Sequence, residues 1–157
     1  MAYGLFLTRC INLDKETMNL IRLIYSSRAE LDLRLSDVQE ILHTARTNNR
    51  SHNVCGMLFY NSRYFLQALE GEEQNVKALY AKIAEDFRHD DLNVVSEVNI
   101  TEPIFSDWTM GYSGNSQAVS ETLHKLRIDN DDLTLLNGEQ CLLLLKSIVQ
   151  QQALAPS

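Results

Sequence analysis

A chain of 157 residues with 45% hydrophobic content carries enough apolar surface for one continuous core, so a single domain with an appendage is expected. The formal net charge of −7, with no run of Lys and Arg, argues against nucleic-acid binding through phosphates, which needs clustered positive charge. Cys10, Cys55 and Cys141 are odd in number and widely spaced, which excludes a disulfide framework or CxxC metal site and leaves reduced, buried thiols. No apolar run approaches the roughly 20 residues of a spanning helix, so a soluble, cytoplasmic protein is expected.

Residues 1–17 hold a short apolar stretch but neither a basic start nor a small-residue cleavage site, so they do not read as a signal peptide. Met18 directly precedes strand-like sequence, which makes residues 1–17 an extension or an alternative-start segment. Leu20 to Ser26 (LIRLIYS) is apolar at nearly every position and predicts a strand buried on both faces. Ser36 and Gln39 form a Ser-x-x-Gln capping pattern, and Val38, Ile41, Leu42 and Ala45 follow at helical spacing, predicting a helix over 37–47. Val54 to Tyr60 and Tyr64 to Leu69 are short strand-like runs joined by Asn61-Ser62-Arg63, a β-hairpin.

Glu72 and Glu73 suit the first turn of a second helix, whose stripe is Val76, Leu79, Tyr80, Ile83 and Phe87 and whose end falls near Arg88-His89. Leu92 to Ile100 and Trp108 to Tyr112 are two further strands, separated by a stretch containing Pro103. The resulting βαββαββ order contains a split βαβ element and predicts an α+β sheet with both helices on one face. A C-terminal helical pair follows: Leu123, Leu126 and Ile128 mark the first, and Asn137-Gly138-Glu139 opens the second, with Leu142, Leu145 and Val149 on one stripe. This pair either covers the open face of the sheet or forms an oligomer contact. Neither GxGxxG nor GxxxxGK is present, which removes the main phosphate-loop enzymes.

Certain polar residues sit where apolar ones are expected. Tyr25 interrupts an aliphatic strand, and a buried phenol needs a hydrogen-bond partner, although strand tyrosines are commonly packing residues. Gln67 interrupts FLQAL, where an unpaired buried amide costs about 1–3 kcal/mol; exposure on an edge strand is the alternative. Asn48 and Asn49 offer amides that read the edge of a heterocycle, or act as helix caps.

In order and spacing, LIYSSRA, NNRSHNVCGMLFYN, FLQALEG, KIAEDFRHDD and WTMGY resemble the BLUF family of blue-light sensors over roughly residues 19–112. The resemblance implies a ferredoxin-like fold holding a flavin non-covalently: FAD, with FMN and riboflavin as alternatives. It implies that Tyr25 and Gln67 are the photoactive pair, the Tyr25 hydroxyl bonded to the Gln67 amide beside flavin N5 and the C4 carbonyl. Asn49 matches the asparagine that bonds the C4 carbonyl and N3, with Asn48 adjacent. Ser26, Arg88 and His89 match positions near the cofactor, the last two competing with a helix-capping role. Lys82 stands where relatives commonly carry arginine and lacks its bidentate fork, which leaves FAD against FMN open. Trp108 and Met110 match a switching segment.

The same resemblance assigns residues 18–113 to the flavin-binding domain and 114–157 to a helical tail of the short, stand-alone type. It implies no catalytic residues and output to a separate signalling protein; cysteine spacing, charge and hydropathy argue against a metal and against a nucleic-acid or membrane partner, and the amphipathic tail makes a homo-oligomer the expectation. A flavin-dependent oxidoreductase, a hydrolase of the acylphosphatase kind and a flavin-free adaptor on the same fold are the rivals. The hydrolase lacks the glycine-rich arginine loop that its chemistry expects.

Overall fold

The computed structural model describes residues 19–107, 110–128 and 132–154, with side chains to residue 150. Its elements are β1 (Leu20–Ala29), α1 (Leu35–Ser51), β2 (Cys55–Tyr60), β3 (Tyr64–Glu72), α2 (Glu73–Ala84), β4 (His89–Asn99) and β5 (Gly111–Ser113). After them come α3 (Gln117–Lys125), a 3-10 turn (Leu133–Leu135) and α4 (Gly138–Leu154). The βαββαββ order predicted from sequence is therefore observed. The sheet runs β4-β1-β3-β2-β5, antiparallel except for the parallel β2–β5 pair.

Alternation along the strands sorts the core into two halves. Ile21, Leu23, Tyr25, Leu58, Phe65 and Leu69 face α1 and α2, meeting Val38, Leu42, Val76 and Leu79. Leu20, Ile24, Met57, Phe59, Leu66 and Ala68 face the tail and pack on Val119, Leu123, Leu144, Leu145 and Ile148. Burial of each such aliphatic side chain contributes about 1.5–3 kcal/mol. Of the two roles open to the tail, covering the second face is the one observed. Cys55 and Cys141 are buried in this half and form no disulfide among the described residues, and burial pushes the Cys141 thiol up to about 12. Cys10 lies outside the described residues.

Several boundaries differ from expectation. The first helix starts at Leu35 rather than near Asp37, because the Asp37 carboxylate reaches back to accept from the Arg34 N–H at 2.8 Å. It also runs on to Ser51, which puts Asn48 and Asn49 inside its last turn and makes His52 the C-cap. The second helix stops at Ala84, since Asp86 accepts from the Arg88 N–H at 3.0 Å in an Asx-type turn. That turn leaves Phe87 exposed and makes His89 the first residue of β4, so Arg88 and His89 are not helix-end charges. The hairpin forms as predicted, with Asn61 Oδ1 accepting from the Arg63 and Tyr64 N–H groups at 3.1 and 2.8 Å and Ser62 at φ 75°.

β5 is shorter than the predicted 108–112 strand, and Trp108 lies outside the described residues. α4 opens where predicted, with Asn137 and Gln140 exchanging side-chain-to-backbone bonds at 2.9 Å each way. Its buried stripe is Cys141, Leu144, Leu145 and Ile148, while Leu142 and Val149 lie half-buried at its border. Among the described residues, no helix is long and apolar enough to cross a membrane.

Candidate functional site

A cavity of about 420 Å³ opens between α1, α2 and the sheet face they cover. Its walls are apolar side chains of α1 (Ile41, Ala45), α2 (Leu79, Ile83) and the strands (Leu58, Phe65). Tyr25, Asn48, Asn49 and Gln67 converge on it from two strands and the end of α1. An apolar slot with a few convergent polar groups is the form of a small-molecule site.

Tyr25 and Gln67 are direct partners across β1 and β3, and Leu58 of β2 is opposite Gln67, so all three share the helix-facing side. The Tyr25 hydroxyl donates to Gln67 Oε1 at 2.5 Å, and Gln67 Nε2 donates to Met110 Sδ at 3.3 Å. The three side chains thus form a directed relay, all of it buried. Burial, with Tyr80 and Asp86 adding to it, pushes the Tyr25 phenol well above its ordinary value, so it remains a proton donor. Tyr80 packs edge-on against Tyr25, with ring centroids 5.3 Å apart.

Met110 is 2% exposed and is held twice, by the amide on its sulfur and by Arg46 Nε donating to its carbonyl at 3.2 Å. Its methyl group lies over Gly56, where an added Cβ would stand 2.1 Å from the Ala68 carbonyl oxygen and 3.1 Å from Met110 Cε. Only glycine lets the hairpin and Met110 close together at that point.

The remaining candidate residues separate into those at the cavity and one that is not. Asn49 is 1% exposed and Asn48 half-buried, and both line the cavity from the last turn of α1. His89 lines it too, with Nε2 2.8 Å from the Ile83 carbonyl and Nδ1 2.7 Å from Ser27 Oγ. A carbonyl only accepts, so Nε2 carries a proton, and in the neutral ring Nδ1 accepts from Ser27. Both nitrogens are therefore engaged within the protein, and the ring presents its surface to the cavity.

Arg88 reaches the cavity but is clamped by Asp86, with Nε to Oδ1 at 2.9 Å and Nη2 to Oδ2 at 2.6 Å. The guanidinium's hydrogen bonds hold the Asp86 carboxyl below its usual range, and the pairing offsets the positive charge Arg88 offers to a phosphate. Lys82 stands exposed at the rim. Ser26 is buried but points away, because it pairs with Leu66 on the tail-facing side of the sheet. Ser27, on the opposite face of the strand, reaches the cavity only through its bond to His89 Nδ1. Asp86 and Arg46 escaped the sequence reading, although the Asp-x-Arg spacing of Asp86 and Arg88 carries a signal for the first.

Residues 20–111 match the family model described as BLUF, sensors of blue-light using FAD. The chain belongs to the BLUF family. It is 33% identical over 99 residues to the photoactivated adenylate cyclase subunit beta of Euglena gracilis, covering 62% of this chain and 12% of that protein. It is 37% identical over 70 residues to the blue light- and temperature-regulated antirepressor BluF of Escherichia coli K12, covering 45% of this chain and 17% of that one.

Solved BLUF structures extend the likeness into the tail. BlsA in its photo-activated state superposes with TM-score 0.78 at 28% identity, covering 88% of this chain and 97% of that one. The dark-state structure of BlrB gives 0.73 at 27%, covering 87% and 99%. The fold is thus the ferredoxin-like α+β fold of BLUF proteins.

The residues present suit the flavin of a BLUF site. The apolar walls accept a flat ring system, and the polar groups gather where its heteroatom edge requires donors and acceptors. The decisive atom is Gln67 Nε2, a buried amide nitrogen whose acceptor here is a thioether, which accepts only weakly. A carbonyl or ring nitrogen in the cavity supplies the stronger acceptor that such a donor calls for.

Proposed function

We propose that this protein is a blue-light receptor that signals rather than catalyses, holding FAD non-covalently and controlling a separate partner from the cytoplasm. FMN and riboflavin fit the same reading, because the cavity is built for the ring and Arg88 is already paired. Tyr25 and Gln67 are the photoactive residues, Asn48 and Asn49 hold the polar edge of the ring, and Arg88, His89 and Lys82 border it. Residues 18–113 form the sensing module, with Trp108 and Met110 in its switching segment, and 114–157 the output element. A second copy of the chain is the expected companion in solution. The observation that carries this reading is the Tyr25–Gln67–Met110 relay.

Bound flavin supplies absorption of blue light and, once excited, a site that accepts an electron. Tyr25 would be the electron and proton donor to it, with the phenolic proton carried on the bond to Gln67 Oε1. With electron and proton restored to Tyr25, the Gln67 amide would be left rotated or tautomerised. The Met110 sulfur then loses its donor, Arg46 alone remains on the Met110 carbonyl, and the segment leading into β5 adopts a second arrangement. A coupling of about 1–3 kcal/mol is enough to shift such an equilibrium, and one buried hydrogen bond is of that order.

The test is an absorption spectrum of the purified protein with FAD supplied, taken in the dark, after blue light and after dark recovery. A reversible red shift of the flavin band is expected. Bound flavin without a shift, together with steady NAD(P)H consumption, would make the protein an oxidoreductase; failure to take up any flavin would make it an adaptor.

A further inference from the structure

On the tail-facing side of the sheet, the side chains of Arg22 and Glu70 are paired across β1 and β3, with Arg22 Nη2 2.9 Å and Nε 3.0 Å from Glu70 Oε2. Glu70 is completely buried and Arg22 nearly so. The carboxylate has three more partners: the Ile104 N–H donates to Oε2 at 3.0 Å, the Phe105 N–H to Oε1 at 2.6 Å, and the Cys55 thiol to Oε1 over a longer 4.0 Å. A buried carboxylate so fully bonded is held firmly, and it fixes in turn the backbone groups that bond it.

Those backbone groups belong to the crossover from β4 to β5. The crossover begins at one edge of the sheet, is tied to Glu70 on the central strand β3, and ends in the parallel strand beside β2. Phe105 is fully buried in the tail-facing core with Val119, Leu144 and Leu145. Met110, five positions further on, belongs to the helix-facing core and accepts the Gln67 amide. The segment therefore passes from one face of the sheet to the other, and each end is tied to a polar side chain of β3.

We propose that Glu70 is a positioning residue for signalling: it pins the crossover at Ile104 and Phe105, so that release of Met110 by Gln67 turns the segment about Phe105 and into the tail helices. The inference rests on the photoreceptor reading above. With both ends free, the segment would detach without displacing Val119 or Leu144. With Phe105 pinned and Arg46 still on the Met110 carbonyl, motion of the Met110 side chain is passed to the packing between the crossover and the tail. Gln67 and Glu70, three positions apart on one strand, divide the work between the two faces.

The experiment is hydrogen exchange on the full chain loaded with FAD, dark and under blue light, with the flavin spectrum recorded on the same samples. The variants are Glu70→Gln and the pair Arg22→Met with Glu70→Gln. The pair removes the guanidinium together with its partner, so that no ion is left buried alone, and a glutamine oxygen replaces the two-oxygen clamp on the crossover. In the unaltered protein, light is expected to change exchange in both 100–113 and 117–150. In the paired variant the red shift keeps its full size while the light-induced change in 117–150 is lost. A paired variant that keeps both the red shift and the tail response overturns the proposal and leaves the photoreceptor reading intact. Loss of the red shift in that variant overturns it as well, since Glu70 would then act on the flavin site. An unaltered protein with no red shift overturns both readings.

Discussion

The two faces of the sheet are filled in opposite ways. Behind the tail, Phe59, Leu66, Phe105, Leu144 and Leu145 are completely buried, and the polar pair Arg22–Glu70 has its bonds met inside the protein. Beneath α1 and α2, the same strands leave a cavity of about 420 Å³ and turn Tyr25 and Gln67 toward it, with Asn49 reaching it from the end of α1. One face thus gains its stability from close packing, while the other gives up packing to keep hydrogen-bonding groups for a ligand. Substitutions on the two faces are expected to separate stability from photochemistry.

The largest loss of stability is expected on the tail side. Leu144→Ala should destabilise the fold by about 2–5 kcal/mol and leave the light-minus-dark flavin spectrum unchanged, as urea unfolding and spectra of the folded variant would show. Gln67→Leu should cost about 1–3 kcal/mol, because the buried Tyr25 hydroxyl loses its acceptor, and should abolish the red shift. An intact shift in that variant would break the division between the faces. Asn49→Ala should weaken flavin binding by about tenfold, equivalent to roughly 1.4 kcal/mol, with a smaller effect on unfolding; flavin titration measures it.

The smallest effect concerns pH. Burial raises the folded Tyr25 phenol above its unfolded value of about 10. The unfolded phenol therefore ionises first, and the stability contributed by the neutral buried form is complete below that value and declines as pH rises through and beyond it. Denaturation midpoints should fall between pH 9 and 11 more steeply in the unaltered protein than in Tyr25→Phe, provided both remain folded.

The legibility of these faces in the sequence was uneven, for physical reasons. The stripe Val38, Ile41, Leu42 and Ala45 placed α1 because its opposite face is polar and one period fits. In α4 the run Leu142 to Leu145 is apolar all round, so spacing picked Leu142, Leu145 and Val149, whereas packing chose Cys141, Leu144, Leu145 and Ile148. Phe87 continued the helical stripe of α2 in sequence, but the Asp86 turn ended the helix before it. Tyr25 and Gln67 stood out as polar interruptions in apolar strands. Their pairing depends on the register of β1 against β3, which no local pattern encodes, and only the family resemblance joined them. Ser26 and Ser27 show the same limit: in an all-buried strand, alternation does not say which residue faces the helices and which the tail until register is known.

The central claim is that a redox-active hydroxyl at Tyr25, hydrogen-bonded to Gln67, drives the switch. The most direct measurement is the light-minus-dark absorption spectrum of Tyr25→Phe loaded with FAD, beside the unaltered protein. Removing one oxygen keeps the ring and the cavity walls, so flavin should remain bound while the reversible red shift disappears. A Tyr25→Phe protein that binds flavin and shifts like the unaltered protein would contradict the account.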